Sequence, residues 1–302
     1  MYKNHKIAVV VPAYNEEKLI GETLSSIPEY VDRIYAVDDG STDRTFEIVQ
    51  EFAKKDSRIV CIKHEKNRGP GAAIVTGYKR ALQDKMDIVA VMAGDNQMDP
   101  KDLSTLLDPI VEGKVDFAKG NRFLKNYDLR MSYWRRFGTF LLTMLTKIAS
   151  GYWHVGDSQN GYVAITINAL KKIDLNKLCK SYSFENDLLI KASVAGLRVV
   201  NVPVKIRYKI GERSKIKYSK FMISTSWLLL KSFLWRIWVE YIKKGKLIGF
   251  LYLISFILIV GSFLMLLIFP KMALEVLIAG SVMFLTSCLW EVTLKKGVGE
   301  YE

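Results

Sequence analysis

The sequence has few cysteines, and no two of them stand at a spacing typical of a metal or redox site. Cys61, Cys179 and Cys288 are scattered along 302 residues, which suits a reducing compartment. The first residues carry charge and then an apolar strand, without the hydrophobic core of a signal peptide. We therefore expect the membrane to be contacted at the C-terminal end alone.

Charge is absent from residues 247 to 269, a run long enough to cross a bilayer as a helix. A second apolar run covers residues 272 to 294, with Glu275 and Glu291 near its ends. Because only residues 270 and 271 separate the two runs, the pattern predicts a transmembrane hairpin. The alternative, a hairpin buried in a soluble core, would need a polar shell around it.

The net charge of +13 is concentrated just before the first apolar run. Between residues 205 and 246, Lys and Arg are frequent and the acidic residues are only Glu212 and Glu240. Positive charge beside a span favours the cytoplasm, so we expect the soluble part and both termini on that side. Such a basic band more often meets anionic lipid headgroups than nucleic acid, and we expect no nucleic-acid partner.

Short apolar runs alternate with helical patterns in the first half of the chain. The strand-like runs are 7–11, 33–39, 60–63 and 88–93, and the helix-like segments are 16–27, 42–55 and 71–84. This alternation predicts a mainly parallel sheet covered by helices on both faces. Ligands of such sheets bind at the carboxyl ends of the strands, where the turns PAYNE, DDGSTD and AGDNQ occur.

A dinucleotide-binding fold would carry GxGxxG directly after the first strand. Residues 12 to 16 read Pro-Ala-Tyr-Asn-Glu instead, which excludes a Rossmann dehydrogenase. Residues 67 to 71 (NRGPG) do open a later helix. Close backbone packing explains a lone GxG as well as phosphate binding does. In DDGSTD, Asp39 can accept hydrogen bonds from a base or ribose, and Ser41 is predicted to be the N-cap of the following helix.

The stretch VMAGDNQMDP, residues 91 to 100, has two interpretations. Asp99 before Pro100 is a favourable helix N-cap, which predicts only a turn between a strand and a helix. Asp95 and Gln97 are two residues apart, so in an extended turn both side chains would face one way. Their oxygen atoms would then suit a hard divalent cation.

Two later segments combine aromatic and basic residues at helical spacing. The apolar stripe from 134 to 148 fits either an ordinary core helix or a helix resting on a bilayer. Residues 219 to 244 alternate Trp, Phe and Tyr with Lys and Arg, a mixture typical of an interfacial helix.

In this order, VVVPAYNE, VDDGSTD, NRGPGAAIVTGY, GDNQ, GNRF, DSQNGY and GERSK resemble the motifs of family 2 glycosyltransferases. Within that family the chain resembles the polyprenyl-phosphate (dolichol-phosphate) hexosyltransferases, over residues 5 to 220. The resemblance implies an α/β GT-A fold, a nucleotide-sugar donor, Mg²⁺ or Mn²⁺, and inversion at the anomeric carbon. The expected organisation is a GT-A domain (1–218), amphipathic juxtamembrane helices (219–246), two spans (247–269 and 272–294) and a cytoplasmic tail (295–302).

The resemblance also implies roles for individual residues. The donor-binding residues would be Pro12, Tyr14, Glu16, Val37, Asp39, Ala93, Gly94, Asp95, Arg122, Arg213 and Lys215. The catalytic residues would be Asp95, Arg122, Asp157 and Gln159, and the metal ligands Asp95 and Gln97. The family usually has D-x-D-x-Q, and Ala93 stands at the position of its first Asp. This departure bears on the identity of the sugar or base more than on metal binding.

The acceptor phosphate is expected to meet arginines, because guanidinium groups and helix N-termini both suit phosphate. The candidates are Arg130, Arg135 and Arg136. Each of them alone is also compatible with a solvated surface position. The late motif has an extra residue, so it stays open which of Arg207, Lys209, Arg213 or Lys215 fills the family's basic roles.

Two acceptor chemistries remain open. A lipid phosphate is already anionic near pH 7, with a second pKa of about 6, and needs no protein base. A lipid or glycan hydroxyl would need one, and Asp187 would be that base. A non-catalytic nucleotide-binding adaptor is conceivable from Ala93, whereas two short spans argue against a transporter. GDP-mannose and UDP-glucose both remain candidate donors, and N-acetylhexosamine donors are less favoured.

The expected partners are therefore a nucleotide sugar, polyprenyl or dolichyl phosphate, and the lipid bilayer. The product would be a lipid-phosphate-linked sugar for glycan or glycoprotein assembly. A separate flippase would carry it across the membrane, and a downstream glycosyltransferase would use it. The two spans are also a predicted surface for homo-oligomerisation.

Overall fold

A seven-stranded sheet forms the centre of the N-terminal part of the protein. The computed structural model describes residues 1–124, 133–207 and 218–294. The strands are β1 (Ile7–Ala13), β2 (Arg33–Asp38), β3 (Ile59–Lys63), β4 (Ile88–Val91), β5 (Phe117–Asn121), β6 (Val163–Thr166) and β7 (Val199–Pro203). Their order is β3-β2-β1-β4-β6-β5-β7, and only β6 runs antiparallel to its neighbours. The predicted mainly parallel sheet is confirmed.

Helices connect the strands and extend beyond the sheet. They are α1 (Ile20–Ser26), α2 (Thr45–Ala53), α3 (Pro70–Gln83), α4 (Leu103–Val111), α5 (Tyr133–Ser150), α6 (Ile167–Leu170), α7 (Phe184–Val194), α8 (Tyr218–Glu240), α9 (Leu247–Met265) and α10 (Pro270–Leu294). Short 3₁₀ helices occur at Pro100–Asp102, Leu175–Lys177 and Ile242–Lys244.

The sheet is covered on both faces, as the apolar runs predict. In β1, Ala8 and Val10 pack into a core with α3 and α7, whereas Ile7, Val9 and Val11 pack into another with α1 and α4. All five side chains are fully buried. Burial of each larger aliphatic side chain contributes about 1.5 to 3 kcal/mol, so both faces of the strand stabilise the sheet.

A third core joins the sheet domain to the C-terminal helices. Leu142 of α5, Ile190 of α7, Phe233 of α8, Tyr252 of α9 and Cys288 of α10 belong to it. The stripe predicted for 134 to 148 therefore does contribute to a core. The same helix also exposes large apolar side chains on its other side.

The outer faces of the last helices are apolar. Phe137 and Phe140 of α5 and Trp227, Trp235 and Trp238 of α8 are exposed. Helices α9 and α10 are both long and apolar enough to cross a membrane by length and composition. They form a candidate transmembrane hairpin, in which α10 begins at Pro270, two residues before the predicted limit of the second span.

Candidate active site

A cavity of about 460 Å³ lies at the carboxyl ends of β1, β2 and β4. It is lined by Pro12, Ala13, Tyr14, Glu16, Asp39, Asn67, Gly69, Pro70, Ala73, Ala93, Gly94, Asp95, Ser181 and Tyr182. The structure thus brings together seven of the predicted donor-binding residues, from three separate motifs. The motifs meet because parallel strands place their carboxyl ends at one edge of the sheet.

Val37 is a predicted donor-binding residue that lies in the core of the sheet instead. Its side chain is fully buried in the core on the α3 face of the sheet and does not line the cavity. The reason is the two-residue period of a strand, which turns the side chain of Val37 into a sheet face just before β2 ends. Asp39 follows the end of β2 and is free of that constraint.

Asp39 is fixed in place by three hydrogen-bond partners. Its carboxylate accepts the backbone N–H groups of Arg68 at 3.0 Å and Gly69 at 2.8 Å. Nδ1 of His64 lies 2.7 Å from Oδ1 of Asp39, and Nε2 of the same ring lies 2.9 Å from Oγ1 of Thr76. The carboxylate is only 2% exposed, so its orientation toward the cavity is determined by the protein.

His64 was not predicted as a site residue. The signal that could have found it is its position, directly after β3 and at the same sheet edge as the other motifs.

The NRGPG turn brings two further residues to the cavity. Gly69 has φ of +95°, and a Cβ there would lie 2.3 Å from the carbonyl oxygen of Lys180. A Cβ on Gly71 would lie 2.4 Å from the carbonyl oxygen of Cys179. The interpretation of this GxG as a site of close backbone packing is confirmed. This packing carries Ser181 and Tyr182 to the lining, and no local sequence signal marked them.

The PAYNE and DDGSTD turns are bound to each other. The backbone N–H of Asn15 donates to Oγ of Ser41 at 2.9 Å, and the N–H of Thr42 donates to Oδ1 of Asn15 at 2.9 Å. The prediction that Ser41 caps the next helix is wrong, because α2 begins only at Thr45. The Ser41 hydroxyl instead joins two walls of the cavity.

Asp95 lies in a tight turn rather than an extended one. The N–H of Gln97 donates to Oδ1 of Asp95 at 3.1 Å, and Asn96 between them has φ of +56°. Asp95 lines the cavity and Gln97 does not, so the geometry expected for a joint Asp95 and Gln97 site is not present. The predicted N-cap is confirmed, since Asp99 accepts the N–H of Lys101 at 3.1 Å.

The residues of this cavity fit a divalent cation that arrives with a diphosphate. Glu16, Asp39 and Asp95 line it, and Mg²⁺ is commonly held by one or two carboxylates together with substrate phosphates. Within the described ranges, no group of three or more His, Cys, Asp or Glu could hold a metal by itself. Asp39 is held by His64 and two backbone N–H groups, which makes it the least suited of the three to bind a cation.

Ala93 also lines the cavity, next to Gly94. Its backbone N–H donates to the sulfur of Met98 at 3.3 Å. A Cβ on Gly94 would lie 2.9 Å from Ile20 and 3.0 Å from Ala13, so this wall leaves no room for a larger residue at 94. Ala93 itself is half-buried and packs against the core on the α1 and α4 face of the sheet.

Arg122 and Asp157, two predicted catalytic residues, form an ion pair outside the cavity lining. Nε and Nη2 of Arg122 donate to the two carboxylate oxygens of Asp157 at 2.6 and 2.8 Å. Asp157 is fully buried. Gln159, the other residue predicted with them, donates from Nε2 to Oγ of Ser158 at 2.9 Å.

Asp187 is also paired within the protein. Its Oδ2 accepts the N–H of Cys179 at 2.7 Å and Nζ of Lys191 at 2.5 Å, and it does not line the cavity. The nearby Glu185 differs, because its buried Oε2 has no hydrogen-bond partner within the described part of the chain. Burial raises the pKa of Glu185, and the positive charge of Lys119 partly opposes that shift.

The predicted phosphate-binding residues lie mostly beyond what the structure describes. Arg130, Arg213 and Lys215 fall outside the described residues, and so does the side chain of Arg135. Arg136 is exposed in the first turn of α5. Arg207 is held by Asn96 and Asp99, at 3.1 Å from each, which makes it part of the wall behind Asp95.

Comparison with known proteins identifies the family of this chain. The model of glycosyl transferase family 2 matches residues 8 to 174. A UDP-N-acetylglucosamine–dolichyl-phosphate N-acetylglucosaminyltransferase of Methanococcus voltae is 31% identical over 216 residues, which are 67% of this chain and 86% of that protein. A polyprenol monophosphomannose synthase of Mycolicibacterium smegmatis is 32% identical over 208 residues, or 65% and 75% of the two chains.

Solved structures support the same fold. Glucosyl-3-phosphoglycerate synthase of Mycobacterium tuberculosis in complex with UDP has a TM-score of 0.56 at 21% identity, over 77% of this chain and 80% of that one. A second structure of this enzyme, in complex with Mn²⁺, UDP-glucose and phosphoglyceric acid, has a TM-score of 0.54 at 20% identity, with the same coverage. At this identity the likeness establishes the fold alone.

Proposed function

Because the chain belongs to glycosyl transferase family 2, we propose that it transfers a hexose from a nucleotide sugar to polyprenyl or dolichyl phosphate. The observation that carries the proposal is the meeting of the PAYNE, DDGSTD and GDNQ motifs in one cavity. Relatives with 31 and 32% identity are named for transfer to dolichyl phosphate and for polyprenol monophosphomannose synthesis, which supports the choice of acceptor.

The donor occupies the cavity, with its nucleoside toward Asp39 and its diphosphate toward Asp95. The fixed carboxylate of Asp39 accepts hydrogen bonds from the base or ribose, next to Tyr14 and Glu16. Asp95 would hold Mg²⁺ or Mn²⁺ together with the diphosphate oxygens. When bound, the cation neutralises charge on the departing diphosphate.

The reaction is an in-line displacement at the anomeric carbon. An anionic oxygen of the lipid phosphate forms the new bond to that carbon as the bond to the nucleoside diphosphate breaks, so the configuration inverts. No proton has to be removed from this acceptor. Positioning and charge neutralisation then supply the rate enhancement. The pairing of Asp187 with Lys191 supports this scheme over one in which Asp187 is a general base.

The membrane holds the acceptor beside the cavity. We assign α9 and α10 as the two spans, with residues 1–218 as the catalytic domain and 219–246 as juxtamembrane helices. The exposed aromatic side chains of α5 and α8 rest at the bilayer surface. The basic band before α9 supports a cytoplasmic side for the catalytic domain and both termini, in which case a separate flippase would present the product on the other side.

A donor screen tests this proposal. The full-length protein in detergent, with Mg²⁺ or Mn²⁺ and a short polyprenyl phosphate, is given GDP-mannose, UDP-glucose or UDP-N-acetylglucosamine, and the lipid fraction is analysed by mass spectrometry. We expect one donor to give a lipid-phosphate-linked sugar. Release of nucleoside diphosphate without a glycosylated lipid, or no reaction with any donor, would contradict the proposal.

A further inference from the structure

Arg207 connects the segment after β7 to the turn that carries Asp95. Its Nη1 donates to Oδ1 of Asn96 and its Nη2 donates to Oδ1 of Asp99, both at 3.1 Å. Its backbone N–H donates to the carbonyl oxygen of Gln97 at 2.8 Å. One arginine therefore contacts three of the four residues that follow Asp95.

Asn96 is the residue on which this arrangement depends. It is 6% exposed and has φ of +56°, a left-handed conformation that Asn tolerates better than most residues. Its Nδ2 donates to Oε2 of Glu22 at 2.8 Å, while its Oδ1 accepts from Arg207. The side-chain amide is thus held from both sides, and the left-handed backbone is held with it.

The rest of the turn is fixed in the same way. The N–H of Gly94 donates to the carbonyl oxygen of Pro12 at 3.0 Å, and Oγ1 of Thr23 donates to the carbonyl oxygen of Gly94 at 3.2 Å. Met98 pairs with Ile206 in an antiparallel bridge. Asp95 is the acidic residue of this turn that lines the cavity. Its carboxylate is consequently presented by a backbone with little freedom to move.

We propose that Arg207 is a positioning residue, which holds the Asp95 turn in the conformation that binds a metal-bound diphosphate, and that it is not itself a phosphate ligand. This inference rests on the proposed function. Both terminal nitrogens of the guanidinium are engaged by Asn96 and Asp99, and the Asp99 carboxylate neutralises its charge. A carboxylate held in place before the ligand arrives loses less free energy on binding than one that must be ordered.

The test compares Arg207→Met and Asn96→Gly with a matched control, Arg198→Met. Glycine at 96 keeps the left-handed backbone accessible and removes only the amide. Arg198 precedes β7 and pairs with both oxygens of Asp116, at 3.1 and 3.2 Å, away from the cavity. Binding of UDP and of GDP to each full-length protein is measured by calorimetry, with and without Mn²⁺, together with its thermal unfolding.

We expect Arg207→Met and Asn96→Gly each to weaken Mn²⁺-dependent binding about tenfold, the size of one charged hydrogen bond. Binding without Mn²⁺ should stay at the wild-type level, and the double variant should be no weaker than Arg207→Met, because both changes release the same turn. Arg198→Met should leave both affinities unchanged. Arg207→Lys keeps the charge but cannot span Asn96 and Asp99, so it should lose affinity as Arg207→Met does.

Four results would overturn the inference. Equal losses with and without Mn²⁺, or recovery by Arg207→Lys, would make Arg207 a phosphate ligand. Unchanged binding in a folded Arg207→Met protein would leave it without a role at the site. Failure of the wild-type protein to bind either nucleotide would overturn the proposed function, and this inference with it.

Discussion

The cavity at the strand ends and the junction of α5, α8 and α10 use charged side chains in opposite ways. In the cavity, Asp39 and Asp95 accept hydrogen bonds from backbone N–H groups and line an open space. At the junction, Arg236 and Glu291 are fully buried and form an ion pair through Nη1 and Nη2 of the arginine.

The junction satisfies its charges from several helices. Nε of Arg236 donates to the carbonyl oxygen of Ala149 at 2.7 Å, and Nη2 donates to that of Ile148 at 3.0 Å, which ties α8 to the end of α5. The hydroxyls of Tyr241 and Tyr252 donate to Glu291 at 2.5 and 3.0 Å. Charges satisfied in this way hold helices together, whereas the cavity carboxylates line a space in which a ligand can bind.

Breaking the junction should have the largest effect on stability. Arg236→Met leaves Glu291 buried without its counter-charge, and we expect the free energy of unfolding to fall by about 3 to 5 kcal/mol. The measurement is unfolding of the full-length protein in detergent. The double variant Arg236→Met with Glu291→Leu should recover much of the loss, because it removes the fully buried carboxylate together with its counter-charge and leaves only the partly exposed Glu240 without Arg236. If Arg236→Met were as stable as the wild type, the ion pair of Arg236 and Glu291 would not stabilise the junction.

Asp95→Asn should have the complementary effect at the cavity. The amide can still accept the N–H of Gln97, so the turn and the melting temperature should be preserved. The loss of negative charge should lower kcat about 10²- to 10³-fold, the size typical of a removed electrostatic contact in a transition state. Steady-state turnover at saturating donor and a thermal melt measure the two quantities. If Asp95→Asn instead lowered the melting temperature and left the specific activity unchanged, Asp95 would have a structural role and not a catalytic one.

Asp187→Asn should have the smallest effect and separates the two acceptor chemistries. Asp187 is paired with Lys191 and the N–H of Cys179, so its neutralisation should cost about 1 kcal/mol of stability. We expect kcat with polyprenyl phosphate to stay close to that of the wild type. A fall of several orders of magnitude would identify Asp187 as a general base and favour a hydroxyl acceptor.

The parts of the fold and site that local patterns determine could be predicted from sequence. Buried strands are marked by continuous apolar runs, and the motif residues Tyr14, Asp39 and Asp95 follow those strands, so their meeting at one edge is a consequence of parallel pairing. The N-cap at Asp99 is local as well. The role of Ser41 was mispredicted because its partner, Asn15, belongs to another turn.

Contacts between distant segments could not be predicted in this way. The position of His64 after β3 marks the sheet edge, but its contact with Asp39, 25 residues earlier, is not indicated by any local pattern. Arg122 and Asp157 were predicted as separate catalytic residues, yet they neutralise each other across 35 residues. Glu291 looked like an acid near the end of an apolar run, and nothing near it in sequence indicates Arg236. Such pairs depend on how helices and strands pack, which periodicity does not specify.

The proposed function requires that a lipid phosphate, and not a hydroxyl, accepts the sugar. In the decisive experiment, the full-length protein is given one active donor with either a polyprenyl phosphate or the polyprenol of the same length, and the glycosylated lipid is quantified. We predict product from the phosphate alone, with inverted anomeric configuration. Comparable product from the polyprenol, or product from the polyprenol only, would show that a hydroxyl is the acceptor.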